Sequence, residues 1–273
     1  MQILVPFDFS ENAVRALDQA LVIAQHSGAT VDVLHITNQA VMKEYPAEWH
    51  YDKPNLNSLE ERVQNQIRAR VEQLSGTELV SVKITVKESV FISGGVISHM
   101  LHTRADLLLM GTHGMSARME KILGSNTSSI INHALFPVMA IPSKWKAIRI
   151  KTIVAAVELT NLNKLAETLK SWAKKLGAHL KVVEFSIVPE VELSDTYVGD
   201  TGIPAADISI VKSDPDLSLA KNITQYTASF HDAVCAMFVH ERTFFEKIFD
   251  SSISEKVSGM INIPLLALPA GKN

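Results

Sequence analysis

The sequence predicts an α/β fold laid down twice in one chain: two domains, each a five-stranded parallel sheet with helices on both faces. Three observations carry this. Apolar runs of strand length alternate with amphipathic helical stretches through residues 1–142, the second half repeats the first at fixed offsets, and a glycine-spaced segment directly follows the strand-like run Asp106-Leu-Leu-Leu-Met110. Parallel neighbours need crossover connections, so this alternation places helices over both faces of a sheet.

The first strand is the short apolar run Ile3 to Phe7. Ser10 then stands at an N-cap position before a helix with Val14, Leu17, Leu21 and Ala24 on one face, and Gly28 closes it. Val31 to Ile36 is the second strand. A long loop with Tyr45, Pro46, Trp49, Tyr51 and Pro54 follows. Ser58 and Glu61 read as a capping box that opens a helix carrying Leu59, Val63, Ile67, Val71 and Leu74. Val82, Ile84 and Val86 alternate as a third strand, and Val96, Ile97, Met100 and Leu101 mark a third helix. Leu107 to Met110, Ser125 to Ala134 and Val138 to Ile141 supply the fourth strand, fourth helix and fifth strand.

Lys151-Thr-Ile-Val-Ala-Ala-Val-Glu158 matches Met1 to Asp8, and Gly177-Ala178 matches Gly28-Ala29. Farther on, Asp232, Glu246-Lys247-Ile248 and Ser251 match Asp106, Glu120-Lys121-Ile122 and Ser125, and Pro264-Leu-Leu-Ala-Leu-Pro269 matches Pro137-Val-Met-Ala-Ile-Pro142. Offsets this long indicate duplication of a whole domain, with domains over 1–143 and 150–273 and a polar connection, containing Trp145, between them. Pro189 to Ala206 has little helical periodicity, so the second helix of the second copy is expected to be reduced or missing. The two proline-bounded final strands, Val138 to Ile141 and Leu265 to Leu268, are expected to pair, because each would otherwise leave an open apolar edge.

The chain has 273 residues, 47% hydrophobic and 20% charged, with a formal net charge of -3, a globular composition sufficient for two cores. Mild acidity and the lack of a long basic patch argue against nucleic acid as a partner. No apolar run approaches the ~18 residues of a membrane span, and the N-terminus does not read as a secretion signal. The single cysteine, Cys235, excludes an intramolecular disulfide and fits a reducing compartment, so a cytoplasmic location is the default; Cys235 itself reads as a small core residue. Met100, Met110 and Met139 read as core filling.

Chemistry concentrates at Gly111-x-x-Gly114, followed after nine residues by Gly124-Ser125. Between a strand and a helix, glycines let the backbone approach an anion and adopt positive φ, while helix N-terminal N–H groups and the dipole favour negative charge. Asp8 reads either as a helix cap or as an acceptor for ribose hydroxyls. His113 either touches a phosphate or shapes its turn; Arg118 and Lys121 either neutralise phosphate or are solvated. His99, His102 and His133 lack a zinc-like spacing. In the second copy Gly111, Gly114 and Gly124 become Met237, His240 and Asp250, and Asp8 becomes Glu158, so an equivalent site is expected to be lost.

Together, Pro6-Phe7-Asp8, Met110-Gly-Thr-His-Gly114, Gly124-Ser125 and Pro137 to Pro142 resemble the universal stress protein family, in tandem arrangement. The resemblance implies Rossmann-like domains forming an intrachain pseudo-dimer through their last strands, with further homodimerisation left open. It also implies ATP binding, with or without magnesium. Pro6 and Asp8 would lie by the adenosine, the backbone of Ile36 by the adenine edge, and Met110, Gly111, Gly114, Gly124, Ser125 and Asn126 around ribose and phosphates. In a doubly wound sheet of order 3-2-1-4-5, strands one and four meet where the winding reverses, and Asp8 and Gly111 follow those two strands.

The favoured function is a nucleotide-binding stress-response or regulatory protein read by an unknown protein partner, with the second domain structural or partner-binding. The alternative is a slow ATPase or nucleotide-dependent transferase. No residue pattern identifies a general base, an arginine finger or a dedicated metal carboxylate, so catalytic and metal-ligand residues are not assigned.

Overall fold

The computed structural model describes residues 1–37, 56–75, 80–112, 127, 130–131, 136–187, 201–239 and 263–269, with side chains of α2 described from residue 60. The first half runs β1 (Gln2–Pro6), α1 (Glu11–Ser27), β2 (Thr30–Thr37), α2 (Leu56–Ser75), β3 (Val82–Glu88), α3 (Ile92–Thr103), β4 (Leu107–Gly111) and β5 (Val138–Ile141). The second runs β6 (Thr152–Ala156), a 3-10 turn (Leu159–Asn161), α4 (Leu162–Leu176), β7 (His179–Ser186), a 3-10 turn (Ala205–Asp207), β8 (Ile208–Lys212), α5 (Leu219–Thr227), β9 (Ala233–Phe238) and β10 (Leu265–Leu268).

All ten strands form one mixed sheet of order β3-β2-β1-β4-β5-β10-β9-β6-β7-β8. It reads as two five-stranded halves flanked by helices, each with parallel pairing in the order 3-2-1-4-5 expected of a doubly wound sheet. The halves join where β5 and β10 pair antiparallel, with Leu265 opposite Ala140 and Leu266 opposite Met139. This is the expected pairing of the two final strands. It protects both edges, and every residue of β4, β5, β9 and β10 is buried.

Local signals set the helices. Ser10 is the N-cap of α1, its Oγ accepting the Ala13 N–H at 3.1 Å, and Gly28 closes the helix in left-handed conformation at φ 67°. Gly177 ends α4 the same way, at φ 60°. On α1 the buried stripe is Ala13, Ala16, Leu17, Ala20, Leu21 and Ala24; its four alanines allow the helix to lie close on the sheet, and Val14 is only half-buried. Met100, Met110, Met139 and Cys235 are core residues, and burial pushes the Cys235 thiol up to about 12.

One expectation needs correction. Helix α2 starts at Leu56, so Ser58 stands inside its first turn instead of capping it. Leu101 is exposed on α3; the buried face is Val96, His99 and Met100, because His99 turns inward to donate from Nε2 to the buried Asp32 carboxylate at 3.0 Å. In the connection at 143–149 Ser143, Lys144, Lys146 and Arg149 are exposed and Trp145 is buried. Its indole N–H donates to Gln19 Oε1 at 2.7 Å, and the same oxygen accepts the Ile148 N–H at 3.2 Å while Gln19 Nε2 donates to Ile148 O at 3.0 Å. Gln19 is fully buried, so these bonds satisfy an amide that would otherwise be costly in the core, and they tie α1 to the connection.

The expected fourth helix is described at Thr127, Ile130 and Ile131, all helical and buried, and otherwise lies outside the described residues, as do 38–55. Most of the stretch expected to lack the second copy's second helix also lies outside them, and 201–207 hold the short 3-10 turn alone. A second tie between halves is ionic: Lys175 of α4 reaches Asp106, ahead of β4, at 2.8 Å. Partial burial pulls the Asp106 carboxyl upward, but Lys175 and the Gln2 N–H outweigh it and hold it below its ordinary range.

Candidate functional site

The carboxyl ends of β1, β2 and β4 gather at one edge of the sheet. There β1 lies between β2 and β4, so the winding reverses between β1 and β4, the place beyond whose strand ends doubly wound sheets bind ligands. Pro6 ends β1 opposite Leu34, Asp8 follows two residues later, Ile36 lies near the end of β2, and Met110 and Gly111 close β4 opposite Ala140 and Ile141. The fold therefore brings Pro6, Asp8, Ile36, Met110 and Gly111 to one edge. Gly114, Gly124, Ser125 and Asn126 lie outside the described residues, as do His113, Arg118, Lys121, His240 and Asp250.

Gly111 shows why this strand ends in glycine. Its φ is not positive, unlike those of Gly28, Gly177 and Gly202. A Cβ built there would stand 2.7 Å from Asn12 Cβ and 2.8 Å from Asn12 O, so the missing side chain lets the first turn of α1 lie directly on the strand end. Of the two reasons expected for glycine here, positive φ does not hold, and the close approach the structure shows is that of the α1 backbone. Thr127 holds the same point from its own helix, its hydroxyl donating to Gly111 O at 3.0 Å.

The turn between β1 and α1 is tightly specified. Asp8 Oδ1 accepts the Ser10 N–H at 3.1 Å, so this carboxylate does serve the helix start, as the plainer reading of Asp8 has it. Phe9 is left-handed, with φ 63°, and its ring meets Phe7 edge-on at 5.0 Å and His35 at 5.3 Å. His35 is buried in β2 with Nδ1 2.7 Å from Phe7 O; a carbonyl oxygen only accepts, so Nδ1 carries the proton. Neither Phe9 nor His35 stood out in sequence. The one available signal for His35 was a titratable residue, like Asp32, inside a run of strand type, which must find a partner if buried.

Burial holds His35 below its ordinary value of 6.5, opposed by its bond to Phe7 O and by the Asp8 charge. The unfolded chain then takes up this proton first as pH falls. Stability attributable to His35 is thus constant above 6.5 and declines as pH drops from there toward the folded value, with a slope up to ~1.4 kcal/mol per unit. Urea unfolding at about pH 7.5 and about pH 5.5 should show a smaller acid loss in His35→Gln than in the native chain; equal losses would mean that His35 titrates alike in both states.

The second half departs at the matching points. The strand register corrects the expected match of Gly111 with Met237: Gly111 lies opposite Ile141 of β5 and Phe238 opposite Leu268 of β10, so Phe238 occupies the position of Gly111 and Met237 that of Met110, both buried. Helix α4 starts only after an intervening 3-10 turn and packs on β7 and β6, whereas α1 lies against β4. A phenylalanine at the position where glycine admits α1 removes the room for such close packing on β9.

Fold and edge together define a doubly wound α/β protein whose winding reverses between β1 and β4. The universal stress protein family model matches residues 1–142, just over half of the 273, and the chain belongs to that family. A universal stress protein A homologue of Coxiella burnetii is 29% identical over 144 residues, covering 51% of this chain and 94% of the relative. A universal stress protein of Thermus aquaticus is 25% identical over 143 residues, covering 51% of this chain and 96% of that relative. A solved universal stress protein from Archaeoglobus fulgidus has the same fold over the whole length, with TM-score 0.61 at 15% identity, covering 99% of this chain and 96% of that one. Among the described residues, no helix is long and apolar enough to cross a membrane.

Proposed function

We propose that the chain is a regulatory stress-response protein that binds one ATP, with or without magnesium, at the carboxyl edge of β1, β2 and β4. The nucleotide-bound form would be read by a protein partner. One observation carries this reading: the fold gathers Pro6, Asp8, Ile36, Met110 and Gly111, scattered through the first 111 residues, at the point where the sheet reverses. In this reading Pro6 and Asp8 flank the adenosine, the Ile36 backbone meets the adenine edge, and Gly114, Gly124, Ser125 and Asn126 complete the phosphate side with Met110 and Gly111. Domains at 1–143 and 150–273 then form a pseudo-dimer in which the second is structural or partner-binding. Catalysis is not part of the proposal.

The second half offers Glu158 and the buried Phe238 in place of Asp8 and Gly111. A buried side chain at the strand end displaces the helix start whose N–H groups would help bind an anion, a loss exceeding ~1.4 kcal/mol, or tenfold in affinity. Titration calorimetry with MgATP should therefore give one site per chain. Two sites of similar affinity would refute the asymmetry, and no heat with ATP or other adenine nucleotides would refute the binding reading itself.

A further inference from the structure

The halves differ at one equivalent point facing the turn after their first strands. His35 of β2 and Glu184 of β7 are related by the same offset as Gly28 and Gly177. The backbone bonds beside them repeat: Phe7 N–H donates to Leu34 O at 2.8 Å, and Val157 N–H donates to Val183 O at 3.1 Å. The next bond does not repeat. His35 Nδ1–H donates to the Phe7 carbonyl at 2.7 Å, whereas Glu184 Oε2 accepts the N–H of Leu159, the counterpart of Phe9, at 2.9 Å.

From there the backbones part. Phe9 takes a left-handed φ of 63°, and Ser10 caps α1 directly. Leu159 opens the 3-10 turn Leu159–Asn161, from which α4 continues. Left-handed backbone is strained for a phenylalanine and persists only where its surroundings hold it. The holding contacts include the His35 donor, the Asp8 acceptor on Ser10 N–H, and the Phe7 and His35 rings. In the second half a carboxylate offers no donor to the first carbonyl of the turn and captures an N–H two residues later.

We infer that the side chain at this paired position selects the turn, and thereby which half can hold a nucleotide. A donor draws in the Phe7 carbonyl and admits the left-handed turn that sets Asp8 at the strand end. An acceptor draws in the Leu159 N–H and directs the chain into a 3-10 turn. His35 is a positioning residue and touches no ligand in this account. Its consequence for binding rests on the proposed ATP site; the choice of turn does not.

The test uses the full-length chain with His35→Gln and His35→Glu, reading the Phe9 backbone by crystallography or NMR dihedral restraints and MgATP affinity by calorimetry. His35→Gln keeps an N–H donor and should keep left-handed Phe9 and an affinity within about threefold of native. His35→Glu should convert the turn to the 3-10 form and weaken MgATP at least about tenfold. Left-handed Phe9 retained in His35→Glu overturns the inference, and a converted turn with native affinity overturns its link to binding. Should the native chain bind no MgATP, the functional reading fails while the Phe9 backbone still decides the choice of turn. If His35→Glu does not fold, Glu184→His tests the same choice from the other half: loss of the 3-10 turn at Leu159 supports the inference, and its retention refutes it.

Discussion

Leu266→Asp is expected to abolish or nearly abolish the native fold of the full-length chain. Leu266 and the opposing Met139 are both fully buried in the antiparallel β10–β5 pair, and all of both strands is buried around them. A carboxylate there loses its water without gaining a partner, so it either stays ionised at great cost or binds a proton far above its usual range. The expected loss is ~4 kcal/mol or more, comparable with the whole stability of many domains. Leu266→Val removes one methylene and should cost only ~1 kcal/mol. Urea unfolding of the three proteins makes the comparison. An aspartate variant within about 1 kcal/mol of native would mean that the seam joining the halves is not formed in solution.

Gly111→Val should damage folding and ligand binding together. The new Cβ would lie 2.8 Å from the Asn12 carbonyl oxygen, an atom of helix backbone that cannot rotate away, so the first turn of α1 must lift from β4. The expected destabilisation is ~1–3 kcal/mol, with MgATP affinity reduced more than about tenfold because Asp8 and Ser10 move with that turn. Phe238→Gly at the matching place in the second half should also destabilise, by ~3–5 kcal/mol through the cavity it leaves, while MgATP affinity stays native. Calorimetry beside thermal unfolding separates the cases; Gly111→Val with native affinity would remove the end of β4 from the site.

How far the site was legible depends on how local each determinant is. Ser10 and Asp8 act within three residues of their own positions, and the cap and its turn are visible in the order of residue types alone. Gly111 stands out in the sequence as a glycine closing a strand, but the order of residues does not say which constraint selects it. Positive φ and close approach both select glycine, and only the contact with Asn12, ninety-nine positions earlier, distinguishes them. His35 and Phe9 could not be singled out, because each takes its role from a contact across 28 residues or fewer that exists only once β2 lies beside β1.

The sequence by itself determined the alternation of strands and helices, the capping of α1 by Ser10 and Gly28, the duplication, and the apolar final strands that pair at the seam. These depend on periodicity, backbone preference and the need to cover an apolar edge, which neighbouring residues decide among themselves. Only the tertiary structure decided that Gln19 binds the connection through Trp145 and Ile148, that His99 rather than Leu101 faces inward to meet Asp32, and that the turns after β1 and β6 differ. Each of these satisfies a buried polar group with a partner distant in sequence. A buried donor or acceptor must be paired, but which group pairs with it is settled by which chain segments the sheet order brings together.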